Sequence, residues 1–173
     1  MKTYKIDSAH SSVCFKIRHL LISNVSGHFK IFDGSLEKIG DDFTGAKVDF
    51  VAQVDSIDTS NEQRDAHLKS ADFFDVEKHP EIKFVSTSIE KDADSYKVAG
   101  ELSIKGITKN VILNTTFNGE TVDGYGQTKI GFEGDTKINR KDFGLTWSMT
   151  TEAGGIVVAD DVKLEFDVQF VQQ

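Results

Sequence analysis

A single cysteine and a single proline in 173 residues rule out two kinds of scaffold at once, a disulfide framework and a proline-rich linker. Cys14 has no partner for an internal bridge, fits a reducing compartment, and reads as a small strand residue rather than a reactive thiol. No apolar run approaches the roughly 20 residues of a membrane-spanning helix, so stable membrane insertion is not expected. Met1 to Asp7 runs straight into alternation without the apolar stretch of a secretory leader. The expectation is therefore a cytoplasmic protein, or a periplasmic one if Met1 stands in place of a removed leader. Basic residues are also scarce, 20 against 28 acidic for a net charge of −8, which repels phosphate backbones and excludes nucleic acid as an expected partner. Gly-x-Ser-x-Gly is missing, and Gly124-Tyr125-Gly126 is followed neither by a third glycine nor by Gly-Lys-Ser/Thr. Five histidines, His10, His19, His28, His67 and His79, include no pair two or four apart, so neither a metal nor a cofactor is expected.

What is present is two-residue alternation. Ala46, Val48, Phe50, Ala52 and Val54 share one parity against Lys47, Asp49, Gln53 and Asp55, with only Val51 out of step. Val162 to Phe170 repeats the pattern, as do Tyr96 to Ile104, Val13 to Ile17, Val25 to Leu36, Ile82 to Ile89, Val111 to Phe117 and Ile130 to Ile138. That makes eight strands and a further short candidate at the N-terminus, joined by brief turns that favour antiparallel neighbours. The length fits one domain over residues 1–173. Between Phe29 and Leu36 the apolar parity slips, which predicts a β-bulge near Ile31 and Phe32.

Residues 60–78 depart from this rhythm. Thr59 with Glu62, or Ser60 with Gln63, has capping-box spacing, and Ala66, Leu68 and Ala71 supply an apolar stripe, so a short helix is predicted there. It must stop before His79, because Pro80 disfavours helical angles ahead of it. Eight one-sided strands hide their faces together as a sandwich or a closed barrel. A barrel of that size is either filled by side chains or holds one slender ligand. Composition alone favours filling, with phenylalanines packed against small residues such as Gly100 and Gly134.

Four segments carry a resemblance: Asp7-Ser8-Ala9-His10-Ser11, the stretch Ser56 to Pro80, Gly100-Glu101-Leu102-Ser103-Ile104-Lys105-Gly106, and Asn139-Arg140-Lys141-Asp142-Phe143-Gly144. In order and over about Tyr4 to Phe170, the chain resembles the YceI-like, polyisoprenoid-binding, lipocalin-like proteins. The resemblance implies an all-β, eight-stranded antiparallel lipocalin-like barrel with an apolar pore, and a binder of a long-chain lipid rather than an enzyme. The pore residues expected from strand parity are Phe15, Ile17, Phe29, Val48, Phe50, Phe84, Leu102, Ile104, Phe132 and Phe166. The expected ligand is a polyisoprenoid or another long-chain amphiphile, such as a polyprenyl pyrophosphate, a quinone or its precursor, with a fatty acid or fatty amide as the alternative.

Arg64, Asp65, His67, Arg140 and Lys141 are the head-group candidates, because guanidinium and ammonium groups suit an anionic head. A purely structural network is the competing reading of the same residues, with Arg64 or Asp65 tied to Arg140 or Asp142. An enzyme would use Asp65 and His67 as acid and base, yet no further catalytic group stands at a fixed spacing. The resemblance also implies a homodimer, for which Val51 and Ile112 on outer strand faces are the only sequence support.

Overall fold

The computed structural model describes residues 1–148 and 158–173, and its elements are almost all strands. In chain order they are β1 (Lys2–Ile6), β2 (Ser12–His19), β3 (Ser23–Phe29), β4 (Phe32–Lys38), β5 (Lys47–Gln53) and β6 (Ile57–Asp58). The helix α1 (Glu62–Lys69) follows, then β7 (Glu81–Asp92), β8 (Ser95–Ile104), β9 (Ile107–Val122), β10 (Thr128–Asn139) and β11 (Val158–Gln172). All pairings are antiparallel. Eight strands close a ring in the order β1, β4, β5, β7, β8, β9, β10, β11 and back to β1, so this end of the sheet has no free edge.

The three remaining strands continue three of the ring. β2 follows β1 along the same edge of β11, and β3 and β6 extend β4 and β5. The breaks between them fall side by side, at residues 7–11, at Lys30 and Ile31, and at residues 54–56, and hydrogen bonds sew them together. The Lys30 amide donates to the Ser56 carbonyl, the Ile31 amide to Ser56 Oγ, and the Gln53 amide to the Ile31 carbonyl. The parity slip expected near Ile31 is one stitch of this seam: Phe29 and Phe32 both point inward and Ile31 stands 62% exposed. Such breaks let a wall bend where a regular ladder would hold it straight.

Above the seam the ring opens between β6 and β7. Residues 59–80, with α1, cross that gap and lie over the open end. The helix is shorter than the predicted 60–78 and is capped by neither expected residue. Ser60 takes φ +62, which turns the chain, and Asn61 Oδ1 accepts the Arg64 amide as the cap. It ends at Lys69 because Ser70 is extended and both its amide and its hydroxyl bond the His67 carbonyl. Ala66 and Ala71 prove to be exposed, so the expected apolar stripe is reduced to Leu68. Lys105, in the β8–β9 turn, reaches the carbonyls of Ala71 at 3.4 Å and Gly144 at 3.3 Å and ties these loops together.

Val51 and Ile112 do not touch. Val51 lies opposite Lys83 and Ile112 opposite Ala99, with β7 and β8 between them. Val85 and Ala99 continue a diagonal of outward-facing residues from one to the other.

The seam also contains a carboxylate with three donors. Asp7 accepts from the Ala9 amide at 3.2 Å, from His10 Nδ1 at 2.9 Å and from Lys129 Nζ at 3.3 Å. The hydrogen bond from His10, followed by that from Lys129, holds its pKa below the ordinary carboxylate value against the opposing effect of burial. A group depressed in this way stabilises the fold fully above its unfolded pKa of about 3.9, and the stabilisation is lost as pH falls through the lower folded value. We expect urea denaturation at pH 6 to show Asp7→Asn less stable than the unaltered protein, with the gap closing toward pH 3. A gap of constant size would mean that the carboxylate charge is not what Asp7 contributes.

Candidate functional site: an apolar cup

Inward parity along seven strands brings the predicted pore residues to one place. Phe15, Ile17, Phe29, Val48, Phe50, Phe84, Leu102, Ile104, Phe132 and Phe166 all line a cavity of about 650 Å³ within the barrel. It stays open because several of the large rings lie along the wall. Phe15 faces Gly27 and Phe166 faces Gly134 directly across their ladders, while Phe84 leans over Gly100. A Cβ at Gly27 would stand 2.5 Å from the Phe15 ring, and one at Gly134 would stand 2.5 Å from Phe166. Glycine is what lets each ring press on the neighbouring strand's backbone. The large-against-small pattern that suggested filling thus lines a void instead.

One end of the void is closed. Phe43, in the turn between β4 and β5, is plugged among Phe117 and Phe132, each at 4.9 Å between ring centroids, and Tyr96 at 5.8 Å. Lys38 Nζ lies 4.5 Å over the Phe43 ring and donates to the Asp41 carbonyl, which keeps its charge satisfied at the base. Tyr4 is wholly buried on the same parity, and its burial, then the nearby Glu120, raise its pKa. Phe43 escapes a reading by alternation because its neighbours, Asp41-Asp42 and Thr44-Gly45, are turn residues; an isolated aromatic in such a turn was the available signal.

The other end is rimmed by polar side chains around Trp147. His67 stands edge-on to Trp147 at 4.8 Å and to Phe73 at 5.1 Å, with Nε2 3.0 Å from Asp72 Oδ2. Arg140 is 2% exposed; its Nε donates to the Ala159 carbonyl, and its Nη1 to the carbonyls of Leu145 and Trp147. Its Nη2 has no hydrogen-bond partner among the described residues and lies 3.7 Å from Asp160 Oδ1. Burial draws the Arg140 pKa down, with Asp160 opposing. Arg64, one helical turn before His67, gives Nε and Nη2 to Thr59 Oγ1 and to the Thr59 carbonyl.

Three of the five head-group candidates, Arg64, His67 and Arg140, therefore border the cavity, and two do not. Asp65 turns back to accept from the Thr59 amide at 2.9 Å and from its hydroxyl. Lys141 points outward to Asp160 at 3.3 Å. The expected tie from Arg64 or Asp65 to Arg140 or Asp142 is replaced by a local one to Thr59, which is buried and stands where the chain turns into the helix. Asp65 and His67 also have separate partners, Thr59 and Asp72, so they do not form an acid–base couple. Trp147, with no alternating neighbours, carried no sequence signal.

Comparison with known proteins places this architecture. The YceI-like domain family matches residues 4–170. A UPF0312 protein of Staphylococcus aureus is 38% identical over 173 residues, covering 98% of each chain. The crystal structure of a Campylobacter jejuni YceI protein is 32% identical with a TM-score of 0.77, covering 90% of each chain. A polyisoprenoid-binding domain from Saccharophagus degradans, implicated in plant cell wall breakdown, shares the fold at 15% identity, with a TM-score of 0.71 and 98% coverage of both chains.

Proposed function

This chain belongs to the YceI-like family, and we propose that it binds one long-chain isoprenoid lipid, tail in the cup and polar head at the rim, to sequester or carry it. The observation that carries the reading is the cup itself: about 650 Å³ of almost wholly apolar space, closed by Phe43 at one end and bordered by Arg64, His67 and Arg140 at the other. An apolar protein cavity of about 150 Å³ takes up one benzene, so this space holds roughly 25 carbons, or about five isoprene units. Each unit contributes about 4 kcal/mol of burial before the cost of ordering the tail, so three or four already give tight binding and a longer tail gains little. The Saccharophagus domain, described as polyisoprenoid-binding, has the same fold and lends the reading support.

At the rim, Arg140 Nη2 and the Arg64 Nη1 that Thr59 does not engage are donors for an anionic or carbonyl head group. The reading is of a binder and not an enzyme, because Asp65 faces away from the cup. Native mass spectrometry of the purified protein tests it: a co-purified isoprenoid mass is expected, and a fatty acid or fatty amide mass would transfer the same site to that ligand class. An Arg64→Ala variant should bind a polyprenyl pyrophosphate about 10-fold to 100-fold more weakly while keeping its affinity for the neutral polyprenol, as loss of a charge-assisted hydrogen bond requires. Equal losses for both ligands, or a lower Tm with neither affinity changed, would make Arg64 a structural residue only.

A further inference from the structure

We propose that the β2–β3 hairpin is a membrane-docking finger that sets the mouth of the cup against a lipid surface for loading and release. This rests on the lipid-binding reading above and adds the surface from which the ligand comes. Its tip, Leu20-Leu21-Ile22, is three consecutive large apolar side chains that are 38%, 61% and 79% exposed.

The backbone there works against such residues. The Ile22 amide closes a four-residue turn on the His19 carbonyl at 3.2 Å, and the two central residues have φ +53 at Leu20 and +62 at Leu21. Positive φ at both central positions is the signature of the tight hairpin turn that favours Asn-Gly. Two leucines in those positions are strained and gain no packing from their exposure, so folding does not account for them. Partition into an apolar phase does.

The location and the charge of the hairpin agree with that occupant. Ile17, Arg18, His19 and Val25, on either side of the tip, line the open end of the cavity, so a surface touching the tip is contiguous with the mouth. In a chain of net charge −8, no aspartate or glutamate occurs between Asp7 and Asp33, whereas Lys16, Arg18 and Lys30 do. Lys16 and Lys30 are paired with Glu165 and Asp58, and Arg18 has no ion pair among the described residues. An apolar tip on an acid-free basic stalk suits the phosphates and acyl boundary of a lipid headgroup layer. It also gives an insoluble tail a path from bilayer to cup that avoids water.

The test uses the paired substitution Leu20→Asn with Leu21→Gly, which supplies the residues the turn prefers. We expect the variant to fold with an unchanged or higher Tm, yet to pellet with phosphatidylcholine vesicles at least about tenfold more weakly, since each leucine withdrawn from lipid is worth about that factor or more. Quenching of Trp147, the only tryptophan, by a naphthoquinone with a four-unit isoprenoid tail reads loading. From detergent both proteins should be quenched alike. From vesicles the unaltered protein should load at a rate that rises with vesicle concentration, and the variant about tenfold more slowly. Equal pelleting of both proteins, or a loading rate independent of vesicle concentration, overturns the docking finger. So does concentration-dependent self-association that the variant abolishes without any vesicle binding, which would assign the tip to a second copy of the chain. Absence of quenching from detergent would instead refute this quinone as a cup ligand, and pelleting would still decide the finger.

Discussion

Arg140→Met is expected to cost about 3–5 kcal/mol of folding stability, because three buried or part-buried carbonyls lose a charged donor worth about 1–3 kcal/mol each. The guanidinium spans the carbonyls of Leu145, Trp147 and Ala159, and methionine leaves all three without that donor inside the protein. For a chain of this size the loss corresponds to a Tm lower by roughly 6–20 °C. Because Arg140 is what holds the Trp147 backbone beside the start of β11, the tryptophan emission should shift to the red as the indole leaves its contacts with His67 and Phe73. Thermal denaturation followed by fluorescence reads both effects. A Tm within a degree or two of the unaltered protein would show that the three carbonyls find other donors, and would leave head-group binding as the reason for an arginine here.

Phe50→Asp carries the largest expected effect on the ligand. Phe50 stands mid-wall, packed on Phe32 at 5.9 Å between centroids and opposite Phe84 across the β5–β7 ladder. A carboxylate placed there faces an apolar tail with no partner, at a cost of at least about 3 kcal/mol, so lipid affinity should fall by about 100-fold or more. Burial raises the pKa of the introduced carboxyl, and acidification to about pH 5 should restore part of the affinity as the group becomes neutral. Phe50→Leu, which keeps the site apolar, should retain lipid and serves as the control for folding. If Phe50→Asp folds normally and retains lipid at neutral pH, the β5 face has been assigned to the wrong side of the wall.

Much of this is legible in the amino-acid sequence because strand parity is a local property. Val48, Phe50 and Ala52 must point one way once Lys47 and Asp49 point the other, and the same reasoning places Phe166 beside Val168 and Phe170 on one face. The slip at Ile31 is visible as two adjacent apolar residues out of phase. The extent of α1 is not, because Ser60 turns the chain through a left-handed conformation that capping-box spacing does not register, and Ser70 ends the helix by bonding the His67 carbonyl. Nor are Phe43 and Trp147, which act from turns, where periodicity carries no information.

The sequence by itself determined most of the strand segments, the face each buries, and the candidates at the rim, since each depends only on residues a few positions apart; it merged β3 with β4 and did not reveal the two-residue β6. The tertiary structure decided whether the enclosed space is solid or open and which polar groups reach it. Those outcomes depend on the register between paired strands, which alternation within one strand does not specify: it sets Phe15 over Gly27, Phe166 over Gly134 and Phe84 over Gly100, and flattens the rings against the wall. They depend as well on competition for hydrogen bonds, in which Thr59 captures Asp65 and Asp160 captures Lys141, while Arg140 Nη2 has no hydrogen-bond partner among the described residues.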